Sequence, residues 1–144
     1  MRRVIVLGLA VLLALPSAAL ALTRVLHGPA GPVTDSSVDV HFKYRGTHAK
    51  VITRFEFNNI PVSCQGGGSS AVSDVFPHHI GVSQAGKFHA KQSANSGRAT
   101  YVVRGRFSGV RKASGTLHIT GTEPACLSAN SGVVHWSAKF TGQT

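Results

Sequence analysis

Apolar and polar residues alternate along three segments of the C-terminal half, and this alternation constrains the fold more than any other feature. Residues 101–107 carry an apolar or small side chain at every second position, and residues 116–120 do the same. Residues 133–140 repeat the pattern, with the only tryptophan, Trp136, in the apolar set. A period of two places successive side chains on opposite faces of a strand. The segments therefore predict three half-buried strands, the first two joined as a hairpin by the turn at residues 108–115.

The same period recurs in the N-terminal half. Residues 38–45 and 51–58 alternate around a turn at Gly46, and residues 60–64 continue as a short extended piece in which Pro61 favours a sheet edge. No window longer than one turn shows a capped helical period. We therefore predict an all-β fold, an antiparallel β-sandwich of two sheets with about seven or eight strands.

The first 21 residues have the pattern of a secretory signal peptide. A charged start at Arg2 and Arg3 precedes an apolar run at residues 4–15, and the small-x-small triplet at residues 19–21 follows. The competing interpretation is a retained membrane anchor, but Pro16 and the well-formed triplet argue against it. We predict cleavage after Ala21 and a secreted or extracytoplasmic location.

The remaining chain is long enough for one domain with a real core. Residues 22–34 show no sustained period and contain several Gly and Pro, so they predict a flexible N-terminal arm. Residues 35–142 are then the sandwich domain. Its two cysteines, Cys64 and Cys126, are an even number in a chain expected to meet oxidising conditions, which predicts one disulfide between its two halves.

Positive charge is the strongest functional signal. Without Arg2 and Arg3 the chain keeps 13 Lys and Arg against 5 Asp and Glu, a net charge of +8 with His neutral. Such an excess attracts anionic surfaces and polymers, although solubility alone is the plain alternative. A cluster at one end of the predicted hairpin concentrates the charge, and we predict that it forms a basic binding patch: Arg98, Arg104, Arg106, Arg111 and Lys112.

This patch predicts a non-catalytic protein that associates with an anionic envelope polymer or a lipid surface, without a cofactor. Nucleic acid is not favoured, because a single-strand binder needs exposed aromatic rings and the alternation turns almost all of them inward. The five acids form no paired-carboxylate pattern, and no nucleophile motif surrounds a serine, so no catalytic residue is predicted.

Two alternatives remain open. The first is a metal-dependent or sugar-active enzyme that uses outward histidines such as His41, His118 and His135. None of these has the short ligand spacing of a recognised metal site, so no metal ligand is predicted. The second alternative is a purely structural domain without a small ligand.

Part of the C-terminal half resembles a known kind of protein. The matching residues are GRF at 105–107, KASGTL at 112–117, Cys126, and VHWSAK at 134–139. They are similar to the C-terminal half of small secreted, one-disulfide β-proteins common in high-GC bacteria, whose function is uncharacterised. The resemblance covers about a third of the chain. It implies a secreted β-sandwich and supplies no activity, substrate or site residue.

Overall fold

Ten antiparallel strands make up the described part of the chain, residues 22–141 of a computed structural model. They are β1 Leu22–Pro29, β2 Ser37–Arg45, β3 His48–Cys64, β4 Ser69–Phe76, β5 Ile80–Gly81, β6 Lys87–Ala94, β7 Ala99–Phe107, β8 Lys112–Glu123, β9 Cys126–Asn130 and β10 Val134–Phe140. One 3-10 turn, Asn95–Gly97, separates β6 from β7. The all-β class is confirmed, and the expected seven or eight strands are corrected to ten. The predicted signal peptide and its cleavage site lie outside the described residues.

All ten strands belong to one hydrogen-bonded sheet. The order is β10-β1-β2-β3-β9-β8-β7-β6, β4 and β5 pair with β3, and β10 also pairs with β8. The pairing does not divide the strands into two separate sheets, so the sandwich arrangement is not confirmed. The sheet nevertheless folds over itself: Phe57 of β3 meets Tyr101 of β7 at 5.3 Å between ring centroids, although these strands are not paired.

Aromatic side chains fill the core between the facing parts of the sheet. Trp136 is 3% exposed, and its ring centroid lies 5.4 Å from that of Phe55 and 6.1 Å from that of Phe88. Phe42 and Phe107 also meet across the core, at 4.7 Å. Tilted and edge-on ring pairs at these distances each add about 0.5–1.5 kcal/mol to the burial of apolar area. The inward face predicted from the period of two is the core, except at residues 51–53. There the alternation predicts Val51 and Thr53 inward, but a register shift between β2 and β3 turns Ile52 into the core.

Residues 22–34 are not a free arm, because most of them form β1. This strand pairs with β2 from Leu22 opposite Tyr44 to Pro29 opposite Ser37, and it also pairs with β10. Its side-chain pattern is weak, since Leu26 is its only fully buried apolar side chain. Gly28 fits because a Cβ there would collide with the carbonyl oxygen of Ser137. Backbone pairing forms this strand, and Leu22–Pro29 therefore belong to the folded domain.

Two polar segments lie in strands. Residues 91–94 complete β6, which pairs with β7 along its whole length. Ser69 and Ser70, which follow three glycines, begin β4. Both β4 and β6 pair along one edge only, so polar side chains at their solvent side cost little.

The predicted disulfide is present. Cys64 at the end of β3 is bonded to Cys126 at the start of β9, with their Cα atoms 5.4 Å apart. The bond closes a loop with a sequence separation of 62 residues and indicates an extracytoplasmic location, where disulfides persist. No helix within residues 22–141 is long and apolar enough to span a bilayer.

Candidate functional site

Basic side chains collect on the outward side of four neighbouring strands, β6, β7, β8 and β10. We call this surface the basic face. Its members alternate with buried or half-buried residues along each strand, and all are exposed except His118, which is half-buried. They are Lys87, His89, Lys91, Arg104, Arg106, Lys112, His118, His135 and Lys139. The only acid in these four strands is Glu123, which is buried at 5% exposure and points inward, so no Asp or Glu side chain of these strands lies on the face.

Strand register brings cations directly opposite each other on this face. Lys87 is paired with Arg106, and Lys112 is paired with Lys139. His89 lies opposite Arg104 in the same way. Like charges directly opposite in an antiparallel pair destabilise the sheet, whereas opposite charges stabilise it. Within residues 22–141 none of these side chains forms an ion pair. The arrangement therefore costs stability in the free protein and favours a bound anion.

An open depression of about 540 Å³ lies at one end of the basic face, and we call it the Gly105 depression. Its lining places four basic residues, which we call its rim, around the Phe88–Gly105 pair; the lining residues are Gly81, Ser83, Lys87, Phe88, His89, Arg104, Gly105 and Arg106. Gly105 is paired with Phe88, and a Cβ at position 105 would collide with the Phe88 ring. The missing side chain lets that ring pack against the β7 backbone on the inward side of the sheet, whereas Arg104 and Arg106 face outward. Arg106 Nε donates to the carbonyl oxygen of Ala85 at 3.3 Å, which restrains that guanidinium.

The sheet brings together three of the five residues predicted for the basic patch. Arg104, Arg106 and Lys112 lie on the basic face. Arg111 lies in the turn after β7, with its guanidinium carbon 5.6 Å from the centre of the Phe140 ring. Arg98 precedes β7 at its opposite end, eight residues from Arg106 and therefore about 26 Å away along the strand.

Most of the other members of the basic face come from β6 and β10. Lys87 and His89 come from β6 and Lys139 from β10, and prediction of the patch from neighbours along the chain missed all three. The signal that could have found them is the alternation in residues 87–91 and 134–140, which turns their charged positions outward. The order of the strands in the sheet then determines that these residues share one face.

The histidines do not converge. His118 Nε2 lies 3.1 Å from Asn130 Oδ1 on the basic face, and His135 is paired with Thr116. His41 lies on β2, separated from β10 by β1. Across residues 22–141 no group of three or more His, Cys, Asp or Glu side chains is placed to hold a metal ion.

A second polar site lies at the other end of β7 and is acidic. The Tyr101 hydroxyl donates to Glu123 Oε1 at 2.9 Å, and Asn95 Nδ2 donates to Glu123 Oε2 at 2.9 Å. These side chains and Asp74 line a cavity of about 240 Å³. Burial, and next the hydrogen bond to Glu123, raise the pKa of Tyr101 above the ordinary range of a phenol. Two neutral donors thus hydrogen-bond the buried Glu123 carboxylate at this end of the core.

Comparison of the chain with protein-family models, curated proteins and solved structures gave no match.

Proposed function

We propose that this chain is a secreted, non-catalytic binding protein, released after Ala21, whose basic face associates with an anionic polymer or lipid surface of the cell envelope or its surroundings. The folded-over sheet serves as a two-layer scaffold of the sandwich type, with Phe57 and Tyr101 in contact between its layers. The proposal agrees with the resemblance to small secreted one-disulfide β-proteins, which implies no activity.

The observation that carries the proposal is the pairing of cations across strands without a carboxylate between them. Lys87 opposite Arg106, and Lys112 opposite Lys139, repel one another in the free protein. An anionic partner would remove this repulsion and release its own counterions. Four adjacent strands span about 15 Å, which is wide enough to follow an extended charged polymer or to lie on a charged surface.

Adsorption of two variants to anionic material distinguishes a local binding site from a long-range attraction by the net charge of the protein. Replacing Arg104, Arg106, Lys112 and Lys139 by Gln should reduce adsorption of the purified chain to anionic wall or lipid preparations by at least about tenfold at low salt. The matched control replaces Lys43, Arg45, Lys50 and Arg98, which are all exposed and lie outside the basic face. Both variants lose four positive charges, so a long-range attraction would weaken equally in both.

Salt dependence is the second readout of the same experiment. Attraction between exposed charges is screened over about 10 Å at 0.1 M salt, so adsorption of the parent should fall steeply as salt rises. The basic-face variant should show a shallower salt slope than the control variant. Equal adsorption of the parent and both variants at low salt contradicts the proposal and leaves the purely structural domain as the better description.

A further inference from the structure

We infer that the Gly105 depression is a site for a small organic phosphate, whose phosphoryl group contacts Arg104 and Arg106 while its organic body lies over the strand backbone at the Phe88–Gly105 pair. The inference deepens the proposed function, because it uses one end of the basic face, and it names a ligand class where that proposal names a surface.

Charge at the rim points to a phosphoryl group. Lys87, His89, Arg104 and Arg106 occupy two directly opposed pairs on either side of the Phe88–Gly105 pair. Opposed residues have Cα atoms about 5 Å apart, and alternate residues on one strand are about 7 Å apart. Four basic side chains within such a rectangle carry more charge than one carboxylate can neutralise. A phosphate monoester carries a charge of about −1.5 to −2 at pH 7 and three acceptor oxygens.

The two arginines suit this group better than lysines would. A guanidinium presents a planar fork of donors that fits two phosphate oxygens at once. The bond from Arg106 Nε to the Ala85 carbonyl restrains the side chain at that nitrogen and leaves its terminal nitrogens free for a ligand. A restrained donor loses less side-chain entropy on binding.

The volume points to an organic body on the ligand. About 540 Å³ is within the range of small-molecule sites and far exceeds what a single phosphate ion fills. Gly81, Gly105 and Phe88 are among the lining residues, and none of the lining residues carries a carboxylate. Because Gly105 and Phe88 face inward, the outward surface between the four basic side chains is strand backbone.

Phenyl phosphate is the probe, with inorganic phosphate and phenol as its two halves. Calorimetric titration of the full chain should show phenyl phosphate binding at least about tenfold more tightly than either half. Arg104→Gln with Arg106→Gln should weaken phenyl phosphate binding by at least about tenfold, because charge-assisted hydrogen bonds are lost. Lys112→Gln with Lys139→Gln removes the same charge from the same face outside the depression, and binding should change by less than about threefold. Thermal unfolding of each variant checks that both remain folded.

Vesicle binding distinguishes two sources of the phosphate group, a lipid headgroup and a soluble ester. Stronger sedimentation with phosphatidic acid vesicles than with phosphatidylglycerol vesicles assigns the site to a lipid phosphate, and equal sedimentation combined with phenyl phosphate binding assigns it to a soluble ester. The inference is overturned if phenyl phosphate binds no more tightly than inorganic phosphate, or if both double variants weaken its binding equally. Retained adsorption of the parent to anionic polymer in that case leaves the proposed function standing. Phenyl phosphate binding without polymer adsorption overturns the proposed function alone.

Discussion

Charged side chains on the two halves of the sheet are arranged in opposite ways. In the half formed by β1, β2 and β3, Asp39 lies opposite Glu56, but each acid has a base of its own. His27 Nδ1 lies 2.8 Å from Asp39 Oδ1, and Arg54 Nη2 lies 2.8 Å from Glu56 Oε2. On the basic face, cations oppose cations, and none of them forms an ion pair within residues 22–141. One scaffold thus carries a half whose opposed acids each have a partner and a half whose opposed cations have none among the described residues.

The largest effect is expected at the bond that joins these two halves. Cys64→Ala with Cys126→Ala opens the link between β3 and β9, and the free energy of unfolding should fall by about 4 kcal/mol, since a closed loop of this size restricts the unfolded chain. Urea unfolding of the parent and the variant measures the change. Unchanged stability would contradict the role of the bond, and the parent after reduction is the matched control.

The disulfide was predictable from the cysteine count and the expectation of export, and the inward aromatic residues were predictable from the period of two. β1 was not predictable, because Leu26 is its only buried apolar side chain. Its pairing with β2 and β10 is made by backbone groups, which the side-chain pattern does not reveal. The basic face was only partly predictable. Arg104 and Arg106 share a face by alternation alone, but Lys112 meets Lys139 only because β10 lies beside β8, and residues along the chain do not encode that neighbour directly.

Glu123, which is buried and accepts a hydrogen bond from Tyr101, provides a contrast with the exposed cations of the basic face. Tyr101→Phe removes the donor to Glu123 Oε1 and should lower the free energy of unfolding by about 1–3 kcal/mol, because a buried acceptor loses its partner. Tyr44→Phe is the control, since the Tyr44 hydroxyl makes no side-chain hydrogen bond to another part of residues 22–141. Equal losses in the two variants would show that the contact with Glu123 contributes nothing specific.

Alkaline pH gives a smaller, related effect at the same residue. The pKa of Tyr101 is raised in the folded state by burial and by Glu123, so its contribution to stability is complete below about pH 10, the ordinary phenol value. Above that pH the unfolded chain loses the proton while the folded chain keeps it, and the free energy of unfolding falls as pH rises. Urea unfolding between pH 8 and pH 11 should show a steeper fall in the parent than in Tyr101→Phe. Parallel curves would contradict the raised pKa.

Charge reversal on the basic face tests the central claim most directly, although its effect on stability is the smallest. Lys87→Glu with Lys139→Glu converts both opposed cation pairs into ion pairs with Arg106 and Lys112. Each conversion should raise the free energy of unfolding by about 0.2–1 kcal/mol, as expected for cross-strand pairs of opposite charge. The measurement is urea unfolding and adsorption to anionic vesicles on the same protein. The account predicts a more stable protein that no longer adsorbs, whereas a variant that is less stable, or that adsorbs as the parent does, contradicts it.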